Sequence, residues 1–256
     1  MLEKMCSLKN KTAIVTGASS GLGVQFAKAL VEAGAEVALV ARREEKLKKV
    51  KDILTQMGGK SEYYTADVTK PDQVEECIKA VRRDFSRIDI LVNNAGFATL
   101  EPTEEHSLDS WQKVIDTNLT GLFLFTKYAG RIMIEQKYGK IINISSMYGA
   151  VGNIYMPASS YHASKGAANT FTRAIAAEWA KHNITVNAIG PGFFPSEMTE
   201  EIIDNDGFMD FVRHQCPMER TGRDGELDGA LLLLASDASS YITGQVVYVD
   251  GGWTSV

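Results

Sequence analysis

Cysteine is scarce in this chain. Cys6, Cys77 and Cys216 are the only three among 256 residues, an odd number and far apart. They form neither a disulfide framework nor a metal-ligand cluster, so the expected setting is a reducing one, the cytoplasm. The four histidines (His106, His162, His182, His214) are equally scattered, with no ligand spacing, and no metal site is expected. Long apolar runs are missing too. Ala230 to Ala235 is a short core-helix type of run, against the roughly 18–20 residues that a membrane span needs. Met1 to Asn10 has no apolar stretch of signal-peptide length. Charge of one sign is not in excess: 27 basic and 32 acidic residues leave −5, which argues against nucleic acid or an anionic membrane as partner. What remains is an ordinary globular composition, 45% apolar and 23% charged, long enough to bury a sizeable core.

Apolar runs alternate with helical patterns along the whole chain. Strands are expected at Thr12 to Thr16, Glu36 to Ala41, Glu62 to Val68, Ile88 to Val92, Lys140 to Ile144, Ile184 to Ile189 and Val246 to Val249. Helices are expected after Gly23, over Arg43 to Met57, Pro71 to Phe85, Leu108 to Gln136, from Tyr161 to about His182, and around Leu227 to Ala235. The strands read as continuous apolar runs, the mark of a parallel sheet covered on both faces. The expectation is one α/β domain over 1–256, a doubly wound parallel sheet of about seven strands with helices on both faces. An aromatic-rich insertion, Phe193 to Cys216, reads as a substrate lid.

Three stretches carry chemistry. In Tyr161-His162-Ala163-Ser164-Lys165 a phenol and an ammonium stand four residues apart, one helical turn. A cation beside a phenol favours the phenolate, which would bring the Tyr161 proton within reach of neutral pH. His162 is expected to be a bland helix-surface residue. Gly17, Gly21 and Gly23 lie between the first strand and its helix, where a pyrophosphate can approach the backbone and the helix N-terminus. At the end of the second strand an acidic residue would select NAD. Ala41 is there instead, followed by Arg42 and Arg43, and a guanidinium suits a ribose 2′-phosphate, so NADP(H) is the expected cofactor.

Taken together, Thr16-Gly17-x-x-x-Gly21-x-Gly23, Asp67, Asn93-Asn94-Ala95-Gly96, Asn118, Ser146, Tyr161-x-x-x-Lys165 and Pro191-Gly192 resemble the short-chain dehydrogenase/reductase family, from about Leu8 to the C-terminus. The resemblance implies a Rossmann-type fold and hydride transfer between NADP(H) and a secondary alcohol/ketone pair. It implies Tyr161 as acid/base, Ser146 on the substrate oxygen, Lys165 on the nicotinamide ribose and beside Tyr161, and Asn118 on a proton-relay water. It places Gly17, Ser19, Ser20, Gly21, Leu22 and Gly23 at the cofactor phosphates, Asp67 and Val68 at the adenine, and Asn94, Ala95 and Gly96 along the cofactor's middle. Pro191, Gly192, Phe194 and Ser196 would meet the nicotinamide end. Family members commonly assemble as homotetramers through the Tyr161 helix and the long helix before it.

This sequence also departs from the family pattern. Ser20 stands where many NADP-dependent members have a basic residue, which puts 2′-phosphate recognition on Arg42 and Arg43. Ser146 lies fifteen residues before Tyr161, so the loop between them should bulge, and Ser145 competes for the role of Ser146.

The expected substrate is a small molecule with a bulky apolar body, such as a hydroxysteroid or an acyl chain. The segments expected at the mouth hold Phe97, Leu100, Met147, Tyr148, Ile154, Tyr155, Met156, Phe193, Phe194, Phe208, Met209 and Phe211. Gluconate 5-dehydrogenase or 3-oxoacyl-carrier-protein reductase chemistry is the alternative. The segment Phe97-Ala98-Thr99-Leu100 brings no cation for a sugar acid's carboxylate. A dinucleotide-binding regulator without turnover is the non-enzyme alternative.

Overall fold

A computed structural model describes residues 6–197, 199, 200, 203 and 205–256. Part of the N-terminal stretch and positions 198, 201, 202 and 204 of the expected lid lie outside the described residues. Seven strands form one parallel sheet: β1 (Thr12–Thr16), β2 (Glu36–Ala41), β3 (Ser61–Thr65), β4 (Ile90–Asn93), β5 (Gly139–Ile144), β6 (Ile184–Pro191) and β7 (Val246–Val249). Their spatial order is β3-β2-β1-β4-β5-β6-β7. β1, β4, β5 and β6 are buried at every position, while the edge strands β3 and β7 are only partly covered. Strand period two divides the sheet's side chains between two cores. Ala13, Val15, Val37 and Leu39 point to one face, against α1 (Gly21–Glu32), α2 (Glu44–Gln56) and α8 (Asp228–Ala235). Ile14, Ala38, Val40 and Leu91 point to the other, against α3 (Pro71–Phe85), α5 (Gly121–Gln136) and α6 (Ser159–Trp179). The expected doubly wound sheet is therefore present.

Three local differences from the sequence expectation have physical causes. β3 ends at Thr65 rather than Val68 because the Asp67 carboxylate accepts from the backbone N–H and the hydroxyl of Thr69, at 2.9 and 2.8 Å, and turns the chain. The expected long helix is α4 (Leu108–Ile115) and α5 joined by a π-turn at Asp116–Thr120, where Gly121 N–H reaches back to the Asp116 carbonyl. The insertion contains a helix, α7 (Asp206–Gln215), started by the Asn205 side chain accepting from Phe208 N–H.

The chain order reverses between β1 and β4. Ligands of such sheets bind outside the carboxyl ends of the strands at that reversal. The glycine-rich turn after β1, Asn94 after β4, Ser145–Ser146 after β5 and Gly192 after β6 all gather at that edge.

Candidate active site

The glycine-rich turn is built by close backbone approach. A Cβ on Gly23 would stand 2.3 Å from the Gly17 carbonyl oxygen, which leaves glycine as the residue that fits. Thr16 holds the turn to the end of β4: its hydroxyl accepts from Asn94 N–H at 3.0 Å and Ala95 N–H at 3.1 Å. The Asn94 amide donates to the Thr16 carbonyl at 2.9 Å. Ser19 is buried, and Ser20 and Leu22 are partly covered.

Ser146, Tyr161, Lys165 and Asn118 come together beneath this edge. Of the two serines, Ser146 is the one that acts on the Tyr161 hydroxyl, pulling its pKa down, and its own Oγ accepts from Tyr148 N–H at 3.1 Å. Ser145 instead donates to the Lys165 carbonyl at 3.2 Å and serves the backbone. Lys165 is 5% exposed, and its ammonium donates to the Ile144 carbonyl at 2.7 Å. Burial lowers its pKa to about 8. The expected lowering of the Tyr161 pKa is not what the structure gives. Burial raises it, against a smaller opposing pull from Ser146, and the Lys165 ammonium lies 5.4 Å from the centre of the phenol ring. Desolvation outweighs the neighbouring cation in this arrangement.

Asn118 sits in the π-turn and is almost fully buried. Its oxygen accepts from Phe97 N–H at 3.0 Å, and its amide donates to the Phe97 carbonyl at 2.9 Å and to Ser164 Oγ at 3.0 Å. The Ser164 hydroxyl in turn donates a hydrogen bond to the Tyr161 carbonyl at 2.8 Å. The asparagine thus ties the segment after β4 to the turn of α6 that carries Tyr161. A Cβ on Gly96 would close to 3.0 Å from Asn118 Oδ1 and 3.5 Å from Lys165 Nζ, so this wall is kept low by a glycine.

The two arginines after β2 go different ways. Arg42 is exposed, and its charge acts on Asp67. Burial pushes the Asp67 carboxyl up, but the Thr69 hydrogen bonds and Arg42 leave it below its ordinary value. Val68 is buried in the core. Arg43 reaches back to the glycine-rich turn. It donates to Ser19 Oγ at 2.9 and 3.2 Å, to Ser20 Oγ at 2.7 Å, and to both oxygens of Glu197 at 2.9 and 3.2 Å. Lys46, one turn along α2, binds the same carboxylate. Neither Lys46 nor Glu197 belongs to a motif in the sequence. The i,i+3 spacing of Arg43 and Lys46 was visible, but their meeting with Glu197 was not.

The residues after β6 pack inward. Gly192 N–H donates to the Val249 carbonyl at 2.9 Å, continuing the pairing of Pro191 with Val249. The Phe194 side chain is 5% exposed and lies against Gly222 in the first core, so its backbone is the part left for a ligand. Ser196 N–H donates to Thr199 Oγ1 at 3.0 Å. Most of the apolar residues expected to line the mouth pack on one another. Phe193 meets Phe208 at 4.9 Å and Trp253 at 5.5 Å, Phe211 meets Trp253 at 5.3 Å, and Tyr148 meets Phe193 at 6.0 Å between ring centres. Ile154, Tyr155 and Leu100 are exposed. Behind this cluster lies a cavity of about 280 Å³ lined by Phe193, Cys216, Met218, Arg220, Thr221 and Trp253. Arg220 is held there by both oxygens of Glu226, each at 2.8 Å.

This arrangement has the parts for proton exchange at a substrate oxygen beside the glycine-rich turn. Residues 17–254 match the model of a family described as "Enoyl-(Acyl carrier protein) reductase". A gluconate 5-dehydrogenase of Gluconobacter oxydans is 38% identical over 97% of this chain and 96% of its own length. A 3-oxoacyl-[acyl-carrier-protein] reductase of Synechocystis is 40% identical over 97% and 98%. The crystal structure of a gluconate 5-dehydrogenase from Burkholderia cenocepacia in complex with NADP and tartrate superimposes with a TM-score of 0.96 at 34% identity, covering 100% of both chains. With these matches running the length of the sheet and its site, the chain belongs to the short-chain dehydrogenase/reductase family of oxidoreductases.

Proposed function

We propose that this chain interconverts a secondary alcohol and a ketone with NADP(H), on a short polyhydroxy acid of the 5-ketogluconate class. The observation that carries the chemistry is the convergence of Ser146, Tyr161 and Lys165 at the carboxyl edge of the sheet beside the glycine-rich turn. The cofactor reading rests on fit: Arg43, Ser19, Ser20 and Lys46 offer charge and hydroxyls to a 2′-phosphate, and Ala41 offers NAD's ribose no carboxylate. The NADP named in the relative's structure supports the same choice. NADP(H), when bound, supplies or accepts the hydride.

The chain's own residues handle the proton. With its pKa raised, Tyr161 keeps its proton near neutrality and serves as the acid when a ketone is reduced. Ser146, which lies beside the Tyr161 hydroxyl, orients the same substrate oxygen. Lys165, still mostly charged at pH 7 with a pKa of about 8, favours negative charge developing near the phenol. Asn118 holds the Phe97 backbone and, through Ser164, the turn bearing Tyr161. Asn94, Ala95, Gly96, Gly192 and the Ser196 backbone line the rest of the cofactor's path in this reading.

The substrate class corrects the expectation of a bulky apolar ketone. The sugar-acid names of the relatives speak against it, and the aromatic side chains are largely engaged with each other. A second reading, reduction of a β-ketoacyl thioester, is favoured by the 40% identical relative. NADPH consumption measured with 5-ketogluconate, a β-ketoacyl thioester and a ketosteroid separates them. Turnover of 5-ketogluconate is expected; turnover of the thioester or the steroid alone overturns the sugar-acid reading.

The proposal extends to a cytoplasmic homotetramer. Phe123, 43% exposed on α5, meets Phe171 of α6 at 6.4 Å and gives these two helices an apolar face to share. Among the described residues no helix is long and apolar enough to cross a membrane.

A further inference from the structure

Arg43 and Lys46 are the two cations at the glycine-rich turn, and both are bound by one carboxylate that lies 154 and 151 residues away in sequence. That carboxylate belongs to Glu197. It is 43% exposed, so the contacts are a selected geometry on the surface rather than a consequence of burial. Its backbone is not a loose tether. Thr199 Oγ1 donates to the Phe194 carbonyl at 2.6 Å and accepts from Ser196 N–H at 3.0 Å, which ties the residues on either side of Glu197 together. This segment rests on the cofactor cradle: a Cβ on Gly21 would lie 3.2 Å from the Ser196 Cβ and 3.8 Å from the Glu197 nitrogen. The carboxylate is held strongly in its charged form, its pKa lowered to about 2 by hydrogen bonds from Arg43, Lys46 and Ser20.

We infer that Glu197 is a specificity-determining residue for the cofactor, an internal anion that competes with the 2′-phosphate for Arg43, Lys46 and Ser20. The inference rests on the proposal that the 2′-phosphate of NADP(H) binds this cluster. Two anions cannot share the same three donors without strong repulsion, because like charges at contact distance oppose each other as strongly as the cations attract them. NADP(H) therefore has to break the Arg43–Glu197 and Lys46–Glu197 pairs to seat its phosphate. NADH has no phosphate to place there and leaves the pairs intact. The residue thus lowers the preference for NADP(H) below what Arg43 and Lys46 alone would give.

The test is a direct fluorescence titration of NADPH and of NADH, measured as dissociation constants without substrate, on the wild type, Glu197→Gln, Glu197→Asp and Arg43→Ala. Exposed ion pairs are individually weak, so the expected gain is modest: Glu197→Gln tightens NADPH about fivefold and moves NADH less than about twofold. Glu197→Asp, which keeps the charge, stays closer to the wild type. The Gln effect shrinks at high salt, as screening weakens the pairs it removes. Equal tightening of both cofactors would overturn the inference, since Glu197 would then be a general brake and not a phosphate competitor. Unchanged or weakened NADPH in Glu197→Gln, with NADPH lost selectively in Arg43→Ala, would overturn it while leaving the phosphate site in place. An Arg43→Ala variant with the wild-type ratio of NADPH to NADH affinity would remove the phosphate site itself, and the inference with it.

Discussion

Two polar clusters at the same edge of the sheet obey opposite rules. Ser146, Tyr161, Lys165 and Asn118 lie in and around the interior, where burial lowers the lysine pKa to about 8 and raises that of the tyrosine. Arg43, Lys46 and Glu197 lie at the surface, where pairing lowers the carboxyl pKa to about 2. In the first cluster desolvation is the larger effect, and Lys165 and Asn118 are held by fixed backbone and side-chain partners. In the second, hydrogen bonds and opposite charge decide the state, and partners can be exchanged. The proposed proton transfer suits the first environment, and the proposed recognition of a phosphate suits the second.

The contrast can be broken most visibly at Tyr161. Tyr161→Phe removes the exchangeable proton while keeping the ring, and turnover is expected to fall by roughly 10²–10⁴-fold with NADPH still bound. Stopped-assay rates beside a binding titration check this, and near-normal turnover would remove Tyr161 as acid/base. Asn118→Ala should come next. It deletes three hydrogen bonds and leaves Phe97 and Ser164 groups without their partner, a cost of about 2–3 kcal/mol. Thermal melting should then drop by roughly 5–10 °C for a chain of this size. A melt within a degree of the wild type would mean that this clamp does not support the site.

The smallest effect concerns Lys165 and pH. Its pKa is about 8 in the folded protein against 10.5 as the reference. Below about pH 8 both folded and unfolded chains carry the proton, and the buried charge opposes folding. Between about 8 and 10.5 the folded chain releases it first, so stability rises with pH relative to a variant without the amine. Paired melts of the wild type and Lys165→Met at pH 7 and pH 9 should show the wild type gaining on the variant at the higher pH. A constant difference would show that this lysine is not desolvated.

Much of the frame was legible because it depends on local pattern. β1 and β2 were read to the residue, since a buried strand must be a short apolar run and nothing else in those stretches competes. α7 is written in the sequence as a cap and an apolar helical face, Asn205 followed by Phe208, Phe211 and Val212, but the same aromatics also fit the lining of a mouth. The end of β3 depended on which partner the Asp67 carboxylate took, and the sequence offers several.

Pattern and spacing by themselves determined that strands and helices alternate, that the sheet is parallel, and that Tyr161 and Lys165 share a helix face. These follow from periods of two and 3.6 residues acting over a few positions. Tertiary structure alone decided that Arg43 rather than Arg42 turns to the glycine-rich loop, that Glu197 meets it from 154 residues away, and that burial outweighs the lysine in setting the Tyr161 pKa. Charge pairing and desolvation act through space, and the distances that govern them exist only once the chain has closed on itself.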